Sequence, residues 1–557
     1  MRNPSRTCLG LALLTMLPVL AANASIPVAH CRAGDQTESG IQGLTTPAEI
    51  AAQKDVQGFN CNVDKLGQYQ GEGASWQLTA WKNCAYFDQR MQGTAPQLLT
   101  NPGSVVVDVT DPKNPKPSTW LTETPFLDPW ESIKVNPARQ LLGAGWKFTN
   151  GVTAGNTVSV YDISADCTKP VLQSTLLIPG MMGHTGQFAP DGNTYYVTPL
   201  RADQTIIAID TKDPKHMAVI PCGNGTYGCP AAGAGSTTPV VYNGFFTAPA
   251  TSSALGPGFG TARWHDLEFS KDGNTAYISM LATGATASAN GLVIVDVSDF
   301  QSRKANPAYR IIGSLTWDDG SVGAQNALPV TIAGKPYILF TDESGGPVTG
   351  CASGKSAAGF PRLIDISDPT KPATAAKLIL DIHDPANCQV AATTPVTNST
   401  GSPTTSAPFG FSCHYCNVDD ADNAKIAACS CFAAGWRFFD ISNVNYVREI
   451  AYYKPPAQGT KALPGSQYAN STVPAGTFVR HFDWATSKPS FPKDRGMTSG
   501  DVWITAQDNG FMVVKLDPNA TASISGSTGC ASADVSVGAL LVFGIAELVR
   551  RRRARKV

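Results

Sequence analysis

Short runs of β-branched and aliphatic residues recur along the chain, and each run ends in an aspartate followed by a turn sequence. The first is VVVD at 105–108, followed by VTDPKNP. A continuous apolar run of this length is typical of a strand buried on both faces. Asp-Pro then predicts a tight turn, because Pro fixes φ and Asp bonds its own backbone. Further copies end at Asp162, Asp210, Asp296, Asp365 and Asp440, and a seventh at 511–514 carries Lys515 in place of aspartate.

A second phrase precedes several of these runs and predicts a hairpin. FAPDGNTYYV at 188–197 is nearly repeated as FSKDGNTAYI at 269–278. Asp-Gly between alternating hydrophobic residues is a strong hairpin signal. Each unit therefore contains two hairpins, or four antiparallel strands, which is one blade of a propeller. Seven copies predict an all-β, seven-bladed β-propeller of four-stranded antiparallel blades.

The two ends of the repeat region are expected to meet in the last blade. The seventh unit has no final strand of its own, because an Ala/Ser/Gly-rich stretch follows Pro518. The segment FNCNVDKLGQY at 59–69 has the pattern of a spare last strand. An N-terminal strand completing the last blade would remove the open edge of the ring. We therefore assign 59–518 to the propeller and 25–58 to an N-terminal lead-in segment.

The phrases VVVDVTDPKNP, LVIVDVSDF and LIDISDPTKP resemble the LVIVD-repeat family of bacterial secreted and surface β-propellers. The resemblance covers roughly residues 60 to 518 of this chain. It implies the propeller fold and an exported or surface location. It implies no particular activity, since propellers host binding modules and enzymes alike.

Both ends of the chain resemble export signals. Arg2 and Arg6, an apolar stretch at 9–20 and Ala22-Asn23-Ala24 form a signal peptide over residues 1–24. At the other end, a Ser/Gly-rich spacer at 519–534 precedes a hydrophobic tail with an Arg cluster at 535–557. This layout is that of a C-terminal sorting signal, with Cys530 placed for processing and lipidation. The alternative is a plain transmembrane tail held by the positive-inside rule.

These signals predict a protein of the cell envelope, the cell surface or the extracellular space, in contact with the membrane through its C-terminal tail. Net charge is −1 and charged residues make up 15%. A nucleic-acid-binding protein normally carries a basic stripe, so nucleic acid is not an expected partner.

The cysteine count agrees with export. Of 14 cysteines, twelve remain once Cys8 in the signal peptide and Cys530 are set aside. An even number behind a secretion signal predicts disulfides. Cys222 and Cys229 enclose a Gly-rich hexapeptide and form an easy local pair.

Four further cysteines, Cys413, Cys416, Cys429 and Cys431, have a spacing compatible with either a zinc site or disulfides. They lie on consecutive predicted strands of an exported protein, which favours cross-strand disulfides. Cys429 and Cys431 share a face of their strand, whereas Cys413 and Cys416 do not. We therefore expect one ideal pair, 413–431 or 416–429, with another cysteine such as Cys388 completing the pairing.

The main candidate for chemistry is a set of residues at the start of the innermost strands. His184 and His265 both lie four residues before the Phe of the hairpin phrase. Inner strands line the central channel, so residues at this position could form a ring at one mouth. The predicted ring contains Glu131, His184, His265, His414 and His481, with Asn326 at the approximate position in blade five.

Four imidazoles and a carboxylate on one axis form a ligand set for a transition metal such as Cu, Zn or Fe. The alternative is that these histidines cap inner strands by bonding the backbone of a neighbouring blade.

Two functional hypotheses follow. The first is an exported binding scaffold that holds a protein, a glycan or a small ligand at its loop face. It rests on two export signals, irregular loops and the lack of a complete catalytic constellation in the sequence. The second is a metal-dependent oxidoreductase or lyase that uses the histidine ring.

Overall fold

The protein is a seven-bladed β-propeller of antiparallel blades, as the sequence predicts. The computed structural model describes residues 25–89, 100–145, 157–178, 183–198, 206–221, 262–282, 290–345, 351, 354–394, 396–397, 403–404, 410–457 and 481–525. The predicted signal peptide, the predicted C-terminal tail with Cys530, and the predicted Cys222–Cys229 pair lie outside these residues.

The chain begins the propeller with two strands that belong to its last two blades: β1 (Phe59–Cys61) and β2 (Val63–Tyr69). Blades 1 to 5 each contain four consecutive strands, numbered outward from the channel. Blade 1 comprises β3 (Leu78–Trp81), β4 (Cys84–Asp88), β5 (Ser104–Asp108) and β6 (Lys116–Leu121). Blade 2 comprises β7 (Lys134–Asn136), β8 (Leu141–Gly145), β9 (Thr157–Asp162) and β10 (Val171–Leu177). Blade 3 comprises β11 (Thr185–Phe188), β12 (Thr194–Thr198), β13 (Ile207–Asp210) and β14 (Ala218–Val219).

Blades 4 and 5 have the longest inner strands. Blade 4 comprises β15 (Ala262–Phe269), β16 (Thr275–Ala282), β17 (Gly291–Asp296) and β18 (Arg310–Thr316). Blade 5 comprises β19 (Ser321–Ile332), β20 (Lys335–Gly345), β21 (Arg362–Asp365) and β22 (Ala373–Lys377). A small separate hairpin follows, made of β23 (Val396–Thr397) and β24 (Pro403–Thr404).

Blades 6 and 7 contain both ends of the propeller. Blade 6 comprises β25 (Cys416–Val418), β26 (Ile426–Ser430), β27 (Trp436–Asp440) and β28 (Arg448–Lys454), and β1 adds a fifth strand by pairing with β28. Blade 7 contains β29 (Val502–Ala506) and β30 (Gly510–Leu516), with β2 as its outermost strand. On the channel side of β29, Ala485 and Ser490 form isolated bridges to Ala506 and Trp503.

The predicted closure by an N-terminal strand is confirmed, with one refinement. The segment 59–69 divides between two blades because the chain turns at Asn62, whose φ is 56°. The Asn62 side-chain amide donates to the carbonyls of His30 and Ile450, at 2.8 and 2.9 Å. The turn thus sends β1 to blade 6 and β2 to blade 7, which ties the two blades together.

The helical elements are few and short. They are α1 (Pro47–Ala51), α2 (Thr124–Leu127), α3 (Ser298–Gln301), α4 (Cys388–Thr393) and α5 (Pro518–Ser525), with 3₁₀ turns at Asp381–His383, Pro385–Asn387 and Lys493–Arg495. The start of the expected Ser/Gly-rich spacer is therefore helical. No helix among the described residues has the length and apolar character needed to cross a membrane.

The repeated aspartate forms the same hydrogen bond in six blades. Its carboxylate accepts a hydrogen bond from the backbone N–H two residues later, at 2.8 to 3.1 Å, and so fixes the turn after the third strand. The six aspartates are Asp108, Asp162, Asp210, Asp296, Asp365 and Asp440. In the seventh copy Lys515 offers no acceptor. The repeat is thus a backbone requirement of the turn.

The lead-in segment is folded onto blade 6 through a buried ionic network. Arg437 is fully buried and donates to Glu38 of the lead-in at 2.6 Å and to Glu449 at 3.1 Å. Lys454 donates to the same Glu38 at 3.0 Å. Removing one member would leave buried charge without its partner, so this segment is an integral part of the fold.

The prediction of disulfide bonds is confirmed among the described residues, and the bonds are compatible with an exported protein. They are Cys31–Cys61, Cys84–Cys167, Cys351–Cys388, Cys413–Cys431 and Cys416–Cys429. Cys388 therefore has a different partner from the one expected.

The expectation that just one of the pairs 413–431 and 416–429 would form is corrected, since both do. Simple strand alternation fails here because His414 and Tyr415 together lie opposite Ser430: the N–H of His414 donates to the Ser430 carbonyl, and the N–H of Ser430 donates to that of Tyr415. Such a β-bulge adds one residue to one strand. The extra residue restores both cysteine pairs across the strands.

The closing hairpin offers a matched test of backbone crowding. Gly510, with φ +68°, lies between β29 and β30, and a Cβ there would approach the Gln70 carbonyl oxygen to 2.1 Å. Gly334, with φ +78°, lies in the hairpin between β19 and β20 and has no atom within 4 Å of such a Cβ. Both Ala variants incur the left-handed penalty of about 1–2 kcal/mol. We expect Gly510→Ala to lose about a further 1–3 kcal/mol from overpacking against the strand that closes the ring. Urea unfolding of both variants measures this difference, and equal losses would contradict it.

Candidate metal centre

Four of the residues predicted at the start of inner strands meet on the channel axis. Glu131, His184, His265 and His414 come from blades 2, 3, 4 and 6, and their exposed fractions are 2%, 6%, 2% and 0%. They approach one another because the inner strands of a closed propeller run side by side around a narrow channel. The structure thus brings together a carboxylate and three imidazoles.

Two of the histidines are directed by β-bulges. In blade 4 the pairing of β15 with β16 shifts between Trp264 and Leu267, so that His265 and Asp266 share one position opposite Ser279. In blade 6 His414 and Tyr415 share the position opposite Ser430. A bulge bends a strand and redirects a side chain. Consecutive residues can therefore both face the channel instead of alternating.

The ligand atoms lie close together. His184 Nε2 is 2.8 Å from His265 Nε2 and 3.3 Å from Glu131 Oε2. Glu131 Oε2 is also 3.6 Å from His265 Nε2, while Glu131 Oε1 is 3.1 Å from His414 Nε2. A second carboxylate, Glu343 of β20, has its oxygens 3.5 Å from His414 Nε2 and 4.0 Å from His265 Nε2. The cluster therefore contains three imidazoles and two carboxylates.

Backbone carbonyls fix the tautomers of two imidazoles. Nδ1 of His265 lies 3.3 Å from the Gln325 carbonyl oxygen, and Nδ1 of His414 contacts the Thr486 carbonyl oxygen. A carbonyl oxygen only accepts, so each Nδ1 carries the hydrogen and each Nε2 offers its lone pair to the cluster. This second bond is the usual way in which proteins orient a metal-binding histidine.

The lone pairs consequently face other acceptors. Nε2 of His414 faces an oxygen of Glu131, and Oε2 of Glu131 is buried without a hydrogen bond. Among the described residues, imidazoles are the only groups that pair with the Glu131 carboxylate within 4 Å. Burial, followed by the charge of His184, lowers the pKa of His265 to about 3, so this imidazole is neutral at pH 7. Neutral imidazole is the form that binds metals.

Aromatic rings enclose the cluster. Trp76 of blade 1 lies 5.3 Å from His414 and 5.2 Å from Trp130, measured between ring centroids, and Trp130 lies 5.9 Å from His184. Phe432 packs 5.1 Å from His414 on another side. This apolar shell keeps water away from the imidazoles and strengthens electrostatic interactions within the cluster.

The structure does not bring His481 into the cluster, which corrects the sequence-based ring. His481 Nδ1 lies 2.7 Å from Asp55 Oδ2 of the lead-in segment. The inner segment of blade 7 begins to pair only at Ala485, and it is Thr486 that reaches the cluster through its carbonyl. A spacing argument could not locate this start, because blade 7 has no regular inner strand among the described residues.

Blade 5 also differs from expectation. Asn326 is not a member of the cluster, and its side-chain amide donates to the Asp266 carboxylate at 3.1 Å. The blade contributes Glu343 from its second strand instead, a residue that sequence reasoning missed. The sequence feature that could have located Glu343 is the acidic segment TDESG, which directly follows the strand-like run YILF.

The sequence alternative of a zinc site at the four clustered cysteines is excluded, because Cys413, Cys416, Cys429 and Cys431 are paired in disulfides. The cysteines instead surround His414, which lies between Cys413 and Cys416 in the chain.

A cavity of about 560 Å³ lies at the opposite end of the inner strands. Its lining includes Gln77, Lys134, Gln187, Glu268 and Lys488. Lys488 donates to Glu268 at 2.7 Å, and Gln187 donates to the other oxygen of Glu268 at 2.8 Å. The inner strands thus have this cavity at one end and the histidine cluster at the other.

The solved structures that are similar to this chain match it at low sequence identity. No family model and no curated protein match the chain. The chain is similar to the β-propeller domain of Myceliophteria thermophila Cps50 (Swd1), with 8% identity, a TM-score of 0.43, and coverage of 80% of this chain and 97% of that chain. It is also similar to the Pseudomonas aeruginosa periplasmic gluconolactonase PpgL, with 11% identity, a TM-score of 0.41, and coverage of 76% and 98%. At these identities the likeness concerns the fold alone.

The conflict between acceptors predicts the behaviour of a Glu131→Gln variant. In metal-free protein at pH 8, we expect this variant to be more stable than the wild type by about 1 kcal/mol or more, because the amide supplies a donor to a facing Nε2 and removes an unsatisfied buried charge. Thermal and urea unfolding in the presence of a chelator measure this. If Glu131 instead formed a salt bridge with an imidazolium, the Glu131→Gln variant would be destabilised. Asn326→Asp is the comparison variant, because it adds a negative charge to the same channel.

Proposed function

We propose that this protein binds a transition-metal ion at one mouth of its propeller channel and acts as a metal-dependent oxidoreductase or lyase. The propeller fold supports a binding role in general, and the metal proposal makes it specific. The observation that carries it is the convergence of Glu131, His184 and His265, whose ligand atoms all lie within 4.8 Å of one another.

The spacing of these atoms supports a shared ion. Ligands about 2.1 Å from one metal lie about 3.0–3.4 Å apart for angles between octahedral and tetrahedral. The separations among Glu131 Oε2, His184 Nε2 and His265 Nε2 are 2.8, 3.3 and 3.6 Å. A cation at this position would also attract these oxygen and nitrogen atoms, which would otherwise face one another as acceptors.

The donor types favour certain metals. Imidazole suits Zn, Cu, Fe and Ni, and two histidines with one carboxylate form the facial set of non-heme Fe(II) oxygenases. A metal bound there would supply Lewis-acid or redox chemistry. The chain's own contribution is to hold His265 and His414 in one tautomer and to exclude water with Trp76, Trp130 and Phe432.

Location is part of the proposal. The signal-peptide sequence at 1–24 and the tail at 535–557 support export and attachment to the cell envelope, and the disulfides are compatible with both. Membership in the LVIVD-repeat family is likewise proposed, supported by the occurrence of the family phrase on the third strand of the blades.

A second candidate function is a binding scaffold without chemistry. The observation that favours it is the cavity at the other end of the inner strands, whose size falls in the range of small-molecule sites. Such a scaffold would hold a small ligand there, or a protein or glycan on its loops. It predicts no stoichiometric metal.

Metal content distinguishes the two candidates. We expect protein that is exported and purified without a His tag to contain at least one Cu, Zn or Fe per chain by inductively coupled plasma mass spectrometry. The double variant His184→Ala/His265→Ala should lose this metal while keeping the circular dichroism spectrum of the fold. His481→Ala is the matched control and should retain it. Metal content that persists in the double variant, or no metal in the wild type after reconstitution, would overturn the proposal.

A further inference from the structure

We infer that the centre holds two metal ions, bridged by the carboxylates of Glu131 and Glu343. This inference rests on the proposed metal centre and specifies its nuclearity. The ligand atoms fall into two groups, one of Glu131, His184 and His265 and one of Glu131, Glu343 and His414, and within each group all atoms lie within 4.8 Å of one another.

The two oxygens of Glu131 face different histidines. Oε2 lies 3.3 Å from His184 Nε2 and 3.6 Å from His265 Nε2. Oε1 lies 3.1 Å from His414 Nε2. One carboxylate therefore offers a separate oxygen to each of two positions, which is the arrangement of a bridging ligand.

Glu343 repeats this pattern from another blade. Its Oε1 lies 4.0 Å from His265 Nε2, and its Oε2 lies 3.5 Å from His414 Nε2. Two carboxylates thus span the same pair of positions. Ions in two-metal sites are about 3.5–4 Å apart, a separation that bridging carboxylates can provide.

A single ion would leave part of the cluster unsatisfied. An ion bound by His184, His265 and Glu131 Oε2 would leave Nε2 of His414 facing Glu131 Oε1, lone pair to lone pair, at a fully buried site. A second cation between His414, Glu131 and Glu343 replaces this contact between acceptors by attraction.

The two positions differ in their ligands, and this asymmetry predicts an order of binding. The first offers two imidazoles and carboxylate oxygen, whereas the second offers one imidazole and two carboxylates. Imidazole-rich sites hold late transition metals more tightly, and oxygen-rich sites suit Mn more than they suit Cu or Zn. We expect a late transition metal such as Zn²⁺ to fill the position of His184 and His265 first.

The experiment is a titration of metal-free, full-length protein with Mn²⁺. Isothermal titration and mass spectrometry of the washed protein should give two Mn per chain. Electron paramagnetic resonance should show the six-line signal of isolated Mn²⁺ below one equivalent and an exchange-coupled signal at two. His414→Ala should reduce the stoichiometry to one and abolish the coupled signal, while His481→Ala leaves both unchanged.

A second variant covers the case in which His414→Ala does not fold. Glu343 has 12% of its side chain exposed, so Glu343→Gln should be tolerated. We expect it to weaken the second Mn²⁺ at least tenfold, with the first little affected.

The outcomes separate the two proposals. No bound metal in the wild type, either with Mn²⁺ or after reconstitution with Cu, Zn or Fe, overturns the metal centre itself. One Mn per chain in the wild type, or an unchanged stoichiometry in both His414→Ala and Glu343→Gln, overturns the two-ion centre and leaves the single-ion proposal standing.

Discussion

The pairing of β2 with β30 is the constraint on which the rest of the molecule depends. A propeller is a ring, and the inner parts of its blades hold a common axis only when the first and last parts of the chain share a blade. Here the strand Val63–Tyr69 closes blade 7, and the turn at Asn62 binds blade 6 into the same closure. With the ring closed, Glu131 and His414, which are 283 positions apart in the chain, come within hydrogen-bonding distance.

The cluster on that axis contradicts the usual rules of a buried polar site. In the network that joins the lead-in segment to blade 6, buried charges are matched, as Arg437 is by Glu38 and Glu449. At the axis, Nε2 of His414 faces a Glu131 oxygen, and backbone carbonyls fix the orientation of His265 and His414. A fold selected for stability alone gains nothing from such an arrangement. Departures of this kind from local consistency are expected at functional sites.

Sequence reasoning could reach the fold because the repeat has a local cause. The aspartate after each third strand is needed by the turn itself, so the pattern is visible without tertiary information. The histidines at 184 and 265 could be found for the same reason, since they keep a constant offset from a hairpin phrase. Glu343 could not be found this way, because it comes from a second strand and reaches the axis only through the packing of blade 5.

The remaining errors share a physical origin. The second cysteine pair was missed because strand alternation assumes one residue opposite one residue, and a bulge at His414 and Tyr415 breaks that rule. His481 was misplaced because blade 7 replaces its inner strand with irregular backbone. In both cases the sequence pattern gives the average geometry of a blade, whereas the site uses local departures from it.

Because His414 lies between two disulfides, the redox state of those cysteines affects how firmly its imidazole is held. Cys413 and Cys416 are both bonded to the neighbouring strand, so covalent bonds lie on either side of this imidazole. In a reduced chain the bulge that directs His414 is held by hydrogen bonds alone, and oxidation locks it. This ligand would therefore be fully constrained only after the thiols are oxidised. The compartment that forms the disulfides would then also determine which metal pool the protein meets when its site becomes competent.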